Sequence, residues 1–333
     1  MKISIIGAGS FGTAMAAVAA GCGNEVVLWA HDPNVADEIE QTRHNPIYLP
    51  SVLLDKRVRA TSSLAEAAVF SDVLLMIVPS HHYRGVLAQL LPHLRRQVSI
   101  VSGTKGIEND TLARMSEVTA LELKDVLGAF AVLSGPTFAL ETARGDPTAA
   151  VVASTDRALA EQVQHAMSSP TFRIYNSNDV AGVELAGSLK NVIAIAAGVL
   201  EGLGLGSNTT AALITRGLHE MTKLAIALGG RIETLAGLAG MGDLVLTCTG
   251  SLSRNRSVGV ALGRGKALAE ILAESRTVAE GVRTSKAAKE LAERHHIDMP
   301  ITAEMYRVLH ENESPRAALQ RLMTRSLKAE AAL

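Results

Sequence analysis

The first thirty residues limit the fold more than any other stretch. Lys2 to Ile6 is a short apolar run of strand character, Gly7-Ala8-Gly9-Ser10-Phe11-Gly12 follows, and an alanine-rich helical segment runs to Gly21-Cys22-Gly23 before a second strand, Glu25 to Ala30. Strand, G-x-G-x-x-G, helix and strand in that order is the dinucleotide-binding fingerprint, and each glycine has a steric reason. Gly7 makes the tight turn, Gly9 lets the backbone approach a diphosphate, and Gly12 lets the helix pack on the strand. The helix N-terminus adds amide donors and positive dipole for the same anion.

About twenty residues beyond the glycines, where this fold places an acidic side chain against the adenosine ribose, the chain reads His31-Asp32. Asp32 favours the free 2′-hydroxyl of NAD, whereas His31 accommodates the 2′-phosphate of NADP, so the cofactor is NAD or NADP. A second reading makes Asp32-Pro33 the cap of the next helix.

Further strands are expected near Val58, from Asp72 to Ser80, and over Val98–Ser102, Ala129–Leu133, Thr148–Ala153 and Phe172–Tyr175, with helices between them. That alternation predicts an α/β, Rossmann-type, doubly wound parallel sheet with ligands at the carboxyl ends of its strands. Two glycine-containing loops lie at such ends. Gly103-Thr104-Lys105-Gly106 places Lys105 either where anions bind or as a solvated loop lysine. In Ser134-Gly135-Pro136-Thr137-Phe138-Ala139, either the backbone approaches a ligand closely, or Ser134 caps a short helix with Pro136 in its first turn. Strand signals stop near Asn178. The expected division is a dinucleotide-binding domain over 1–178 and an all-helical domain over 179–333, a length that suits two domains.

The helical half opens with Val180–Leu200, VAGVELAGSLKNVIAIAAGVL, whose only charges are Glu184 and Lys190. A lysine near the middle of a membrane span costs about 3 kcal/mol, which favours a buried helix in a water-soluble core. Lys190 faces Ala186, Gly187, Ile193 and Ala194 at helical spacing, and Glu184 lies on another side. The ammonium is therefore paired from elsewhere in the fold, or faces a cavity for an anion, or snorkels at a helix edge. Downstream, Gly240-Met241-Gly242 reads as a sharp turn placing Asp243 at a helix start, and Ser253 reads as the N-cap of a helix with Arg254 and Arg256 in its first turn. Cations there oppose the helix dipole unless an anion also binds, the alternative being two exposed surface pairs.

The formal net charge is −1 with no lysine/arginine block, which excludes an electrostatic footprint for nucleic acid. Cys22 and Cys248 are too few for a disulfide framework, and His81-His82, His219-Glu220 and His295-His296 lack the spacing of a metal site, so no metal is expected. The N-terminal apolar run is broken by Gly7, and the expectation is a cytoplasmic protein with no integral membrane segment.

Taken together, GAGSFGTA, LWAHDP, TKG, SGPTFA, ELAGSLKNVIAIAAG, NTTAALITRG, GMGDLVLTCTG, SRNR, VAEG and MPI strongly resemble the bacterial NAD(P)-dependent glycerol-3-phosphate dehydrogenases, in family order over nearly the whole chain. The resemblance implies interconversion of sn-glycerol 3-phosphate and dihydroxyacetone phosphate, a role in phospholipid synthesis, and a homodimer. It implies that Lys190 is the proton donor and acceptor. Lys105, Gly135, Thr137, Lys190, Asp243, Ser253, Arg254 and Asn255 match the family's substrate-binding positions; Gly7, Gly9 and Gly12 of the fingerprint are joined by Ser10, Phe11, His31, Lys105, Ala139, Arg254, Val278 and Glu280 at cofactor-contacting positions. One departure stands out: a loop that often reads G-x-N-x-K or G-x-N-x-R is here Gly206-Ser207-Asn208-Thr209-Thr210, one basic residue fewer. The 3-hydroxyacid and 6-phosphogluconate-type dehydrogenases share the two-domain plan, but their helix lysine and asparagine are spaced apart, whereas Lys190 and Asn191 are adjacent.

Overall fold

A computed structural model describes every residue except Arg96, 275–278, Lys328 and 331–333. The chain divides into two compact units, Met1–Thr104 with Ala113–Val180, and Lys105–Leu112 with Ala181–Leu333. The segment after Thr104 groups with the second unit because Ile107 and Leu112 are buried in that unit's apolar core.

The strands of the first unit are β1 (Lys2–Ile6), β2 (Glu25–Trp29), β3 (His44–Asn45), β4 (Leu49–Leu53), β5 (Val58–Thr61), β6 (Val73–Met76), β7 (Val98–Ser102), β8 (Leu127–Ser134), β9 (Thr148–Ala153) and β10 (Phe172–Ser177). Its helices are α1 (Ser10–Gly21), α2 (Pro33–Thr42), α3 (Leu64–Phe70), α4 (Ser80–Leu90), α5 (Met115–Glu122), α6 (Ala139–Arg144) and α7 (Arg157–Met167). Eight strands form one sheet in the order β10-β9-β8-β7-β6-β1-β2-β5, and β3 and β4 form a separate antiparallel hairpin. Neighbouring residues on a strand enter different cores: Ile5 and Leu75 pack with Met15 of α1, while Ile6 and Leu74 pack with Leu87 of α4. A parallel sheet covered on both faces requires this continuous apolarity. The strand order reverses between β1 and β6, which puts the glycine loop after β1 at the switch point.

The expectation of an all-parallel sheet needs one correction. From β5 to β8 the pairs are parallel, but β8 and β9 are antiparallel, and β10 runs parallel to β9. The connection after β8 contains only α6, a helix of 6 residues that spans about 9 Å. Retracing the 8-residue β8 takes roughly 26 Å, so the chain turns back instead. The cap expected at Ser134 is also absent: Ser134 is the last residue of β8, and α6 starts at Ala139 behind Phe138.

The second unit contains α8 (Val180–Gly202), α9 (Ser207–Ala227), α10 (Ile232–Ala236), α11 (Asp243–Thr249), α12 (Arg254–Gly263), α13 (Leu268–Glu274), α14 (Glu280–Arg294), α15 (Pro300–His310) and α16 (Pro315–Met323). Helix α8 is long and apolar enough to cross a membrane by composition, yet its apolar window is wholly buried within the protein. Helix α12 lies directly on it. A Cβ added at Gly198 would meet the Arg256 carbonyl oxygen at 2.0 Å, and one at Gly259 would meet the Ile195 oxygen at 2.0 Å. The two backbones therefore touch along the C-terminal turns of α8.

Candidate active site

Lys190 sits at the centre of α8, 5% exposed. Its Nζ donates to Asp243 Oδ1 and to Thr247 Oγ1, both at 2.7 Å, while Lys105 Nζ donates to the other carboxylate oxygen, Asp243 Oδ2, at 2.7 Å. One buried carboxylate thus bridges two ammonium groups, and the cluster keeps one net positive charge. The Thr247 hydroxyl donates to the Asp243 backbone oxygen at 2.6 Å, leaving its lone pairs for Lys190. An ammonium has three donors. Among the described residues Lys190 uses two, so one N–H remains for a ligand.

Burial pulls the Lys190 ammonium down to about 8; Asp243 opposes that shift and the Lys105 charge adds to it. For Asp243, burial alone favours the neutral acid, but Lys105 and Lys190 together hold it below the usual carboxylate range. Burial pushes the neighbouring Cys248 thiol up to about 12, which keeps it protonated.

Asp243 owes its place to the stretch before it. Leu238–Gly242 forms one π-helical turn, with Gly242 N donating to Gly237 O at 3.1 Å, and runs straight into α11. The sharp turn expected at Gly240-Met241-Gly242 is therefore a widened helical turn, of the kind often found at functional sites.

Beside the lysine, Asn191 Oδ1 accepts from Asn255 Nδ2 at 3.0 Å, and Asn255 Oδ1 accepts from Gly281 N at 2.9 Å. Asn255 thereby ties α8 to the starts of both α12 and α14. Ser253 is the N-cap of α12, accepting from Arg256 N at 3.2 Å. The two arginines behave differently. Arg256 pairs with Glu201 at 2.5 Å, whereas Arg254 makes no hydrogen bond or ion pair among the described residues. Arg254 keeps an exposed face. The surrounding protein nonetheless desolvates its guanidinium and lowers its pKa, a shift opposed by Glu280 at the first position of α14. An unpaired guanidinium at a helix N-terminus is an anion site in charge and in donor geometry.

In the first unit, Gly7 has φ +121° and its Cβ would lie 2.2 Å from the Ile77 oxygen, while a Cβ at Gly12 would lie 1.8 Å from the Gly7 oxygen. Only glycine fits either position. Gly9 occupies the N-cap of α1 with no side-chain cap and no acidic residue in the first turn. A Cβ at Gly9 would meet nothing within 4 Å, so the space above the first-turn amides is open. These features fit a diphosphate. Asp32 caps α2, accepting from Asn34 N at 2.9 Å, and exposed His31 lies edge-on to Trp29 with ring centres 5.9 Å apart.

A family model described as NAD-dependent glycerol-3-phosphate dehydrogenase N-terminus matches residues 2–160, and one described as the C-terminus of the same enzyme matches 179–320. The chain belongs to the NAD-dependent glycerol-3-phosphate dehydrogenase family. It is 53% identical over 330 residues to a glycerol-3-phosphate dehydrogenase, NAD(P)+, of Geobacter sulfurreducens, covering 99% of this chain and 98% of that one. The enzyme of the same name from Koribacter versatilis is 51% identical over 332 residues, again covering 99% and 98%. The crystal structure of glycerol-3-phosphate dehydrogenase from Coxiella burnetii is similar with a TM-score of 0.93 and 41% identity, covering 97% of this chain and 99% of that one.

Of the positions that the family resemblance singles out, Lys105, Lys190, Asp243, Ser253, Arg254, Asn255 and Glu280 lie in the helical unit. Gly135, with φ +144°, and Thr137, whose hydroxyl donates to Gly135 O at 3.1 Å, lie in the sheet unit with Ser10, Phe11, His31 and Ala139. Ala139 opens α6, which packs against α1. Val278 falls outside the described residues. Ser207–Thr210, the loop short of one basic residue, forms the first turn of α9. Thr247 lies inside the GMGDLVLTCTG segment but is not among the site positions that the resemblance names; its place four residues after Asp243 on one helix face is the signal that would have singled it out.

Proposed function

We propose that the chain interconverts sn-glycerol 3-phosphate and dihydroxyacetone phosphate with NAD or NADP, and that Lys190 is its acid and base. The observation that carries this reading is the buried ammonium with one N–H left over, held by a carboxylate that a second lysine shares. Bound nicotinamide cofactor supplies or accepts the hydride, held through the Gly7–Gly12 loop and the first turn of α1.

In the reducing direction the substrate's C2 oxygen gains negative charge. The free N–H of Lys190 stabilises that charge and delivers the proton; in the oxidising direction the neutral amine takes the hydroxyl proton. Asp243 and Thr247 fix where the ammonium points. Arg254, backed by the α12 N-terminus and Ser253, takes the phosphate bidentately. Lys105, Gly135, Thr137 and Asn255 complete the proposed substrate contacts; among the described residues the Asn255 amide spends one N–H on Asn191 and its oxygen on Gly281 N, which leaves its second N–H for the substrate. A cytoplasmic homodimer that supplies glycerol phosphate for phospholipids is the setting consistent with this chemistry.

The test is loss of reduced-nicotinamide absorbance when purified protein meets dihydroxyacetone phosphate with NADH or NADPH across pH 6–10. Reduction needs the ammonium, and Lys190 titrates at about 8. The kcat/KM for reduction is therefore expected to be level below that value and to fall about tenfold per pH unit above it, while oxidation shows the opposite slope. No turnover with either cofactor would refute the assignment. In the same assay Arg254→Ala is expected to raise the KM for dihydroxyacetone phosphate by about 10²-fold with a smaller effect on kcat, as loss of a charge-assisted phosphate contact of about 3 kcal/mol requires. An unchanged KM would remove Arg254 from phosphate binding.

A further inference from the structure

The hairpin formed by β3 and β4 has no part in the dinucleotide fingerprint, yet it is bonded to it atom by atom. Asn45 is completely buried. Its Nδ2 donates to the Ala8 carbonyl oxygen and to Thr13 Oγ1, both at 2.8 Å, and its Oδ1 accepts from Tyr48 N at 3.1 Å. Ala8 lies between Gly7 and Gly9, and Thr13 lies in the first turn and a half of α1, itself completely buried. A second tie runs beside the first: Ser10 Oγ donates to Tyr48 O at 2.8 Å. Both donors of one amide are thus spent on the middle of the glycine loop and on the helix that follows it, and its acceptor is spent on the hairpin that holds it.

We propose that Asn45 is a positioning residue for the cofactor's diphosphate, locking the Gly7–Gly9 loop in the conformation that leaves the first-turn amides of α1 open. The loop needs such a lock. Two of its three residues are glycines, which lose more freedom on ordering than any other residue. The geometry of the Ala8 peptide decides where the following N–H groups aim. A buried amide with all its partners satisfied is the device that holds one backbone conformation among several. The role rests on the cofactor reading given above, and it makes Asn45 act through Ala8 and Thr13, without a contact of its own to the ligand.

The test compares parent and Asn45→Asp, which keeps the shape and the acceptor for Tyr48 N but turns an oxygen on the Ala8 carbonyl. Titrations use NADH, ADP-ribose and adenosine, alongside the thermal midpoint and the KM for dihydroxyacetone phosphate at saturating NADH. The Kd values for NADH and ADP-ribose are expected to rise together by about ten- to a hundredfold, with adenosine affinity and that KM within twofold of the parent. A purely structural role would lower the midpoint and leave the Kd of the folded protein unchanged. Unchanged ADP-ribose affinity, or an equal loss for adenosine, would overturn the proposal while leaving the cofactor reading intact. Failure of the parent itself to bind NADH or ADP-ribose would overturn both. If Asn45→Asp does not fold, Thr13→Val carries the same test: at constant shape it removes the acceptor of Asn45 Nδ2 together with the hydroxyl's own 3.4 Å donation to the Ala8 oxygen, and ADP-ribose affinity equal to the parent's would refute the lock.

Discussion

Lys190→Ala is expected to lower kcat for dihydroxyacetone phosphate reduction by about 10⁴-fold while NADH binds as it does to the parent. General acid catalysis contributes about 10²–10⁴-fold, and loss of one donor to a developing oxyanion about 10²–10³-fold; the two act at one atom, so they do not multiply in full. The fold should survive the change. Asp243 keeps Lys105 at 2.7 Å on its other oxygen, so no buried carboxylate is stranded. The cofactor loop lies in the other unit and loses nothing. Lys190→Arg is the sharper comparison: it restores the positive charge but titrates far above the working range, so it recovers oxyanion stabilisation without proton transfer. Single-turnover absorbance changes with saturating NADH measure both. Turnover within tenfold of the parent in Lys190→Ala would take this residue out of the chemistry.

What the sequence makes legible here follows periodicity and local motifs. The β1–loop–α1 unit, the buried central helix and the caps at Asp32 and Ser253 are all spelled in neighbouring residues. An unpaired lysine in an apolar run also announces that its partner lies elsewhere, and Asp243 is that partner. Strand direction is a different matter, because alternation of apolar residues is the same whichever way a strand runs; the reversal at β9 depends on the shortness of α6. The reach of Asn45 to Ala8 spans 37 residues and ends on a backbone atom, which carries no side-chain signature at all. Lys105 shows the same limit: it follows a sheet strand in sequence, yet its ammonium is spoken for by a carboxylate 138 residues away.

The contact between α8 and α12 belongs to that second class, and it yields the largest expected loss of stability. Gly198 and Gly202 on α8 face Gly259 and Gly263 on α12. Added Cβ atoms would lie 2.0 Å from Arg256 O, 2.4 Å from Val260 O, 2.0 Å from Ile195 O and 2.4 Å from Val199 O respectively. Each clash is with backbone oxygen, so no rotamer change relieves it, and the helices must separate. Gly259→Ala should therefore cost about 3 kcal/mol, the upper end for overpacking, or roughly 6–12 °C in midpoint for a unit of this size. The damage should reach the site as well. Separation loosens the 3.0 Å bond between Asn191 and Asn255 and moves Ser253 and Arg254 away from Lys190, so the KM for phosphorylated substrate should rise in whatever protein remains folded. Gly21→Ala is the control, since a Cβ at Gly21 meets nothing within 4 Å and the residue ends a helix with ordinary φ. Equal midpoints for the two variants in thermal unfolding would show that the crossing tolerates a methyl group, and that the placement of Arg254 does not depend on two bare backbones in contact.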